Sequence, residues 1–487
     1  MHPGQHRFAF RRITRRLTAT TLAVVAAAAT SAALPRAAFA ATEVRIWHSL
    51  TGVPAQTFTS MVEAFNAQQK NYHVDLEFKG DDRATTAAGI AAYSLPNGPD
   101  LLQASEVESG DLLAARNAVK PIYEILPLAK SKDFEFFIPG AVSFMKDERN
   151  RLRAFPLEAS VPVLLYNKSA YAKAGLPDAP PSTWRDLQNQ LVALQDAGKG
   201  MKCSYTTSDP AWIHIENLGA LHGEAIATKN NGLDGPGATL TFNDLLHVRH
   251  IALMTSWIKS QLYLPSGHGE EGDARFASGE CGVLTTASGS LGDIVKAARF
   301  NIGVAPLPFY EEGARQPVNT LVGGSALWAV EGRTKDVYNG IAAFLAYLAT
   351  PVVAVEWHQK TGSLPWTSAA YLVSERTGYY DKLPGLAGVM KAAATSQAAT
   401  SRGIRLPNYD KVRVIMDEQL DAVWSGEKPP KLGLDDAVRL GDVAMRQAVA
   451  LPEPPKGKPA RPAKGAKAPA DGKAPKVGAK AKAATRT

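Results

Sequence analysis

The chain has 487 residues, enough for two or three domains with substantial cores, and its formal charge of +8 is unevenly spread. Residues 1–40 contribute +6 and residues 452–487 another +8, which leaves the body between them at −6. An acidic body excludes the basic footprint of a nucleic-acid-binding domain, so no nucleic-acid partner is expected.

Arg7, Arg11, Arg12, Arg15 and Arg16 precede the apolar run LTATTLAVVAAAATSAAL and then small residues ending in AFA. That order reads as a secretory signal peptide cut after Ala40. Sec export is the simpler reading, although FRRITRRL also fits a twin-arginine signal. No later stretch is long and apolar enough to span a bilayer. With no lipobox cysteine near the cleavage site, the expectation is a free periplasmic protein.

The mature chain opens on VRIWHS, a strand. FTSMVEAFNAQ then spaces Phe58, Met61, Val62 and Phe65 at i, i+3, i+4 and i+7, one stripe of an amphipathic helix. YHVDLEFKG alternates as a strand, ATTAAGIAAYSL reads as a helix and PDLLQASE as a third strand. This β-α-β-α-β order begins an open, mostly parallel sheet. Ligands bind such sheets outside the carboxyl ends of the strands. Those ends carry Trp47-His48-Ser49, Lys79-Gly80-Asp81-Asp82 and Ser105-Glu106, three polar clusters on one edge.

A second α/β segment begins at PLEASVPVLLYNKSAYAKAGL, in which VPVLLYN is a buried strand by composition, and continues into a helix with Leu187, Leu191 and Leu194 on one face. Strand patterns return at FNIGVAPLPFYEEG and TLVGGSALWAVEG, and helices dominate beyond Val337. The tail, 452–487, is Lys, Ala, Pro and Gly with almost nothing to bury, which predicts disorder. Cys203 and Cys281 fit a disulfide in an exported protein, and equally two separate buried thiols.

Catalytic signatures are thin. TTASGSLG lacks the G-x-S-x-G elbow, and NNGLDGPGA lacks the Lys-Ser/Thr of a P-loop. His247 and His250 in HVRH have no third metal ligand and read as ordinary surface or core histidines. The physical reading is an exported, bilobed α/β protein with a polar cleft, no enzyme, no metal and no cofactor.

From about Thr42 to Gln447 the chain resembles the periplasmic sn-glycerol-3-phosphate-binding proteins of ABC importers. The resemblance rests on WHS, GIAAY, VPVLLYNK, GMKC, IEN, GEC, FNIGV, GGSALW, RLPN, DEQLDAVW and above all EWHQKTGSLP. It implies an α/β, two-lobed periplasmic-binding-protein (type II) fold, each lobe a mixed sheet flanked by helices, with a hinge and a ligand cleft between them. Lobe 1 would comprise 41–157 and 310–362, and lobe 2 158–309 and 363–451. It further implies a monomeric receptor that delivers its solute to an inner-membrane permease driven by a cytoplasmic ATPase.

Within the matched motifs, the resemblance puts the glycerol hydroxyls on Glu106. The phosphate falls to Ser160, to Ser288 beside Ser290, to a backbone N–H of Gly324, and to Arg413; Trp212 becomes one cleft tryptophan. The departures are Asp82 and Ser363 where the family has tyrosines, and Asp209 where it has a second tryptophan. Lost rings enlarge the cleft, and added carboxylates, with Glu158 beside Ser160 as a further one, disfavour phosphate unless they face a cation or polyol. The expected ligand is sn-glycerol-3-phosphate, with glycerophosphocholine or glycerophosphoethanolamine as the alternative. A neutral sugar, an exported phosphodiesterase and a structural cell-wall protein anchored by its basic tail are the remaining readings.

Overall fold

Val44 and Ile46 of the first strand, β1 (Thr42–His48), turn inward beneath the helix Gly52–Gln68, whose Phe58, Met61, Val62 and Phe65 are buried. The helical spacing read from the sequence is thus the face that meets the sheet. The computed structural model describes residues 41–447 except 116, 137–144, 148, 150, 198–200, 312–316 and 396–397. The predicted signal peptide, 1–40, and the basic tail, 452–487, lie outside the described residues.

β1 pairs in parallel with β2 (Tyr72–Phe78) and with β3 (Leu101–Ser105). The same sheet takes in the short β4 (Val119–Lys120) and then β5 (Phe155–Ser160). The chain leaves this sheet at Val161. Four strands make a second sheet: β6 (Pro162–Asn167), β7 (Cys203–Thr207), β8 (Cys281–Ala287) and β9 (Ile302–Ala305), in the order β7-β8-β6-β9. The chain then returns to the first sheet as β10 (Gly323–Val330), antiparallel to β3, β4 and β5, giving β2-β1-β3-β10-β4 with β5 beside β10.

The sequence reading assigned no strand to β7 or β8. CSYTT is short and polar, and only pairing with β8 buries it. Cys203 and Cys281 lie opposite each other in that pair, Cα atoms 4.7 Å apart, and form a disulfide. The bridge closes a loop of 78 residues. Chain-entropy reasoning puts its stabilisation at about 4 kcal/mol. Cys281→Ser, or reduction, is therefore expected to lower the melting temperature, with urea melts giving a loss of about 2–5 kcal/mol.

The carboxyl-terminal helices serve both sheets. Lys335–Leu348 and Pro351–Thr361 pack into the core of the first through Phe344, Leu345 and Trp357. Pro384–Ala394 covers the second through Val389 and Met390. Tyr409–Trp424 and Pro430–Arg446 pack with Phe242 and Ile251 in a further cluster. Among the described residues no single helix is long and apolar enough to cross a membrane.

Candidate functional site

A cleft of about 1060 Å³ opens where the carboxyl ends of the first-sheet strands face the loops of the second. From the first sheet it receives Ser49 after β1, Gly80, Asp81 and Asp82 after β2, and Ser105, Glu106 and Glu108 after β3. All three predicted strand ends reach it. Trp47 and His48 do not; Trp47 is only 8 % exposed and packs with Leu102 and Trp328. Ser49 lies just past the last residue of β1, where the chain leaves the sheet, and lines the cleft with Leu50.

The floor is made by β3, β5 and β10. Gly324 lies against Ala159, and its φ of +108° is one only glycine adopts freely. Its C=O accepts from the Glu106 N–H at 3.0 Å, and its own N–H donates to the Glu106 carboxylate. The resemblance placed that N–H on the ligand; in the structure it holds Glu106 instead. Glu158 accepts from Gln103 Nε2 at 3.0 Å and from the Ser325 hydroxyl at 2.9 Å. Asp82 and Glu108 each accept a short hydrogen bond, from Ser49 and Ser105 respectively.

Ser160, 6 % exposed, lines the cleft, and its hydroxyl faces Gly289 of the opposite wall. That wall contributes Asp209, Trp212, Glu270, Asp273, Gly289, Ser290, Asp293 and Arg413. The predicted Ser288 and Ser363 stand behind it. Ser288 is fully buried, its hydroxyl accepts the Val161 N–H at 3.2 Å where the chain passes between the sheets, and Ser290 faces the cleft in its place. Ser363 is 1 % exposed and lies beyond Gly289. Asp82, Glu106, Ser160, Asp209, Trp212, Gly324 and Arg413 are brought together; Ser288 and Ser363 are not.

Charge dominates the lining: nine carboxylates and two arginines among the described residues. Both arginines already have partners. Arg83 pairs with Asp410 at 3.1 Å. Arg413 Nε meets Glu216 Oε1 at 2.6 Å, and its Nη2 donates to Oε2 at 2.9 Å. Burial alone would lower the Arg413 pKa, but the charges of Glu216, Tyr409 and Glu106 outweigh it and keep the guanidinium protonated. Burial pushes Glu106 up to about 8 despite Arg413, and Glu158 to about 8 with help from Asp82. It also pushes Glu108 and Asp209 up to about 7.

Glu108, Glu216, Glu270, Asp273 and Asp293 were not singled out from the sequence. An acidic residue in a chain with 46 of them carries little positional signal; Glu216 stood in the IEN motif, which gave it no role. Asp273 is held by the Ser208 hydroxyl at 2.7 Å. His247 and His250 are core residues: His250 Nε2 meets His214 Nδ1 at 2.9 Å, and His247 Nδ1 meets Asp244 at 2.9 Å. No group of three His, Cys, Asp or Glu side chains among the described residues is placed to hold a metal ion.

Asp293 also joins the two walls. The helix Gly52–Gln68 has no side-chain cap from Thr51, and both Asp293 oxygens accept the Val53 N–H at 3.1 Å. The carboxylate thus sits on the positive end of a helix that belongs to the other sheet. Lys296 Nζ donates to Gln56 Oε1 at 3.3 Å beside it. Asp293→Ala is expected to weaken ligand binding by about threefold to tenfold, the worth of one cap. Calorimetry checks this, with small-angle scattering showing a wider unliganded molecule.

Residues 60–387 match the family model for bacterial extracellular solute-binding proteins. The chain is 38 % identical over 414 residues to the sn-glycerol-3-phosphate-binding periplasmic protein UgpB of Yersinia pseudotuberculosis, spanning 84 % of this chain and 94 % of that one. To the protein of the same name in Escherichia coli K12 it is 38 % identical over 412 residues, 84 % of this chain and 93 % of the relative. UgpB from Mycobacterium tuberculosis, solved in complex with glycerophosphocholine, superposes with a TM-score of 0.69 at 20 % identity, over 83 % of this chain and 98 % of that one. A cyclic alpha-maltosyl-1,6-maltose binding protein from Arthrobacter globiformis gives 0.65 at 20 % identity, over 83 % and 99 %.

Proposed function

We infer what the cleft holds from one premise: this chain belongs to the bacterial extracellular solute-binding proteins. It is a binding protein rather than an enzyme, the substrate-binding component of an ABC importer. We propose that it is exported to the periplasm, captures a phosphate ester of glycerol there and delivers it to an inner-membrane permease. The relatives named for sn-glycerol-3-phosphate support this ligand class.

One observation carries the reading. Arg413, Ser160, Ser290 and Glu106, from distant parts of the chain, all line the same cleft. A guanidinium with hydroxyl donors suits phosphate oxygens, and a carboxyl group beside it suits the hydroxyls of the polyol. Calorimetric titration of refolded protein, stripped of carried-over solute, with sn-glycerol-3-phosphate tests it. Absence of binding to this ester and to its diesters would remove phosphate from the reading.

The excess of carboxylates favours a second form of the same ligand. Glycerophosphocholine or glycerophosphoethanolamine brings its own cation to Asp82, Glu108 or Asp209. pH separates the two. Glu106, Glu158, Glu108 and Asp209 have raised pKa values, so in the empty cleft they lose protons only as pH climbs through about 7–8. Their contribution to stability is complete below the unfolded carboxylate range and is lost over that same rise. From pH 6.5 to 8.5, affinity for a cation-bearing diester is therefore expected to strengthen, and affinity for the doubly charged monoester to weaken. Titrations at four pH values in that window are the check, and parallel slopes would contradict it.

A further inference from the structure

Trp212 reaches the cleft from a short π-helical turn, Trp212–Asn217, every residue of which is buried. π-helical turns concentrate at functional sites. Four contacts hold this one. Glu216 pairs with Arg413 at 2.6 Å, and Asn217 Oδ1 accepts the Leu321 N–H at 2.8 Å. His247 Nε2 meets the Ile215 C=O at 3.1 Å, and His214 Nδ1 meets His250 Nε2 at 2.9 Å. The last contact is unlike the others, because two imidazole nitrogens that face each other hold only one proton between them.

The position of that proton is fixed from outside the pair. Thr207 Oγ1 lies 3.1 and 3.2 Å from the carbonyls of Ser208 and Thr285, so it donates. Thr285 then donates to Thr207 at 2.8 Å, and Tyr205 to Thr285 at 2.6 Å. The Tyr205 oxygen is left to accept from His214 Nε2–H at 3.2 Å. His214 Nδ1 therefore accepts from His250 Nε2–H, and His250 Nδ1 meets the Tyr310 hydroxyl at 2.9 Å. This single-direction chain ties the turn to β7, β8 and the helix Leu245–Lys259. A second proton on His214 would set two N–H groups against each other, and one on His250 would displace the Tyr310 proton. Both rings are fully buried, and among the described residues neither contacts a carboxylate. Around them stand His222, with Glu224 beyond it, His247 on Asp244, Tyr263, and Arg249 over Tyr310. Burial brings His214 down to about 3, and burial with the neighbouring histidines holds His250 below its ordinary range.

We propose that His214 and His250 are positioning residues that work only while neutral: their shared proton holds the turn that presents Trp212, and a second proton frees it and weakens binding in acid. This rests on the reading that Trp212 meets the solute; neither histidine touches it. A histidine that is neutral in the closed turn and ordinary in the open one takes up its proton on opening. The closed turn is thus fully favoured above about pH 6.5 and loses about tenfold per histidine for each pH unit below. At pH 5.0 the pair shifts the balance toward opening by about a thousandfold. The raised carboxylates Glu106, Glu108, Glu158 and Asp209 act in the opposite sense over this range, so a variant must isolate the pair.

His214→Gln is that variant. Its amide N–H can donate to Tyr205 and its carbonyl can accept from His250, but it takes up no proton. The test follows hydrogen exchange of residues 212–217 in the full mature chain, with calorimetric titration of sn-glycerol-3-phosphate alongside. At pH 7.5 the two proteins are expected to agree within about twofold in both. At pH 5.0 wild type is expected to exchange this segment at least about tenfold faster than the variant, and to bind the ester at least about threefold more weakly. Equal exchange at pH 5.0 overturns the proposal. So does a rise spread evenly over β7, β8 and the helix Leu245–Lys259 with an unchanged affinity ratio, the mark of a merely structural pair. If His214→Gln does not fold, His250→Gln replaces it, since that amide can donate to His214 and accept from Tyr310. If neither folds, wild type decides alone: 212–217 must lose protection between pH 6.5 and 5.0 while β1 keeps it. If no protein binds the ester at pH 7.5, the phosphate reading falls and exchange still decides this inference.

Discussion

Arg413→Ala is expected to abolish phosphate-ester binding, by at least about a hundredfold, and to cost the fold about 3–5 kcal/mol. The two losses share one origin. Removing the guanidinium takes away one of the two arginines among the described residues that line the cleft. It also leaves Glu216, 1 % exposed, buried without its ion-pair partner. A single buried charge is far costlier than a buried pair, so the carboxyl must take up a proton or draw in water. The double variant Arg413→Ala/Glu216→Leu separates the effects. Replacing both partners by apolar groups is expected to recover most of the stability in urea melts and none of the binding in calorimetry. Recovery of binding would show that Arg413 is a structural residue only.

Gly324→Ala is the second large effect. A Cβ at this position would lie 1.5 Å from the Glu158 carbonyl oxygen, and the φ of +108° is strained for any side chain. β10 must therefore move away from β5 at the point where Ser160, Glu158 and Glu106 converge. Backbone strain with local displacement costs about 2–4 kcal/mol. Glu106 is held to Gly324 by two hydrogen bonds, so it moves as well. Affinity is expected to fall at least about tenfold, by more than a surface glycine variant such as Gly426→Ala, whose Cβ would meet open space. Thermal melts and calorimetry on both variants make the comparison.

The parts of this molecule that repeat a period were legible. Phe58, Met61, Val62 and Phe65 declare a helix face, and VPVLLYN declares a buried strand, because burial of one side imposes a spacing on the sequence. β7 and β8 impose none, since CSYTT becomes buried only through partners distant in sequence. The site was legible where a motif fixes one residue, as with Arg413 and Ser160. In TTASGS two serines two apart compete, and the winner depends on which hydroxyl Val161 consumes as the chain changes sheets. That is a tertiary fact. Glu216 illustrates the same limit: its role is set by the side of a π-helical turn on which it falls, and no local composition records that.

The Asp293–Val53 contact has a consequence for timing. The contact is internal to the protein, so it biases the cleft towards closure before any ligand arrives. Departure requires the walls to separate, and the carboxylate must leave the helix end first. The contact lies between the two walls themselves, so it lengthens residence for every ligand by the same factor, whatever its head group. The resistance to opening that Asp293 supplies is therefore a property of the protein and not of its cargo.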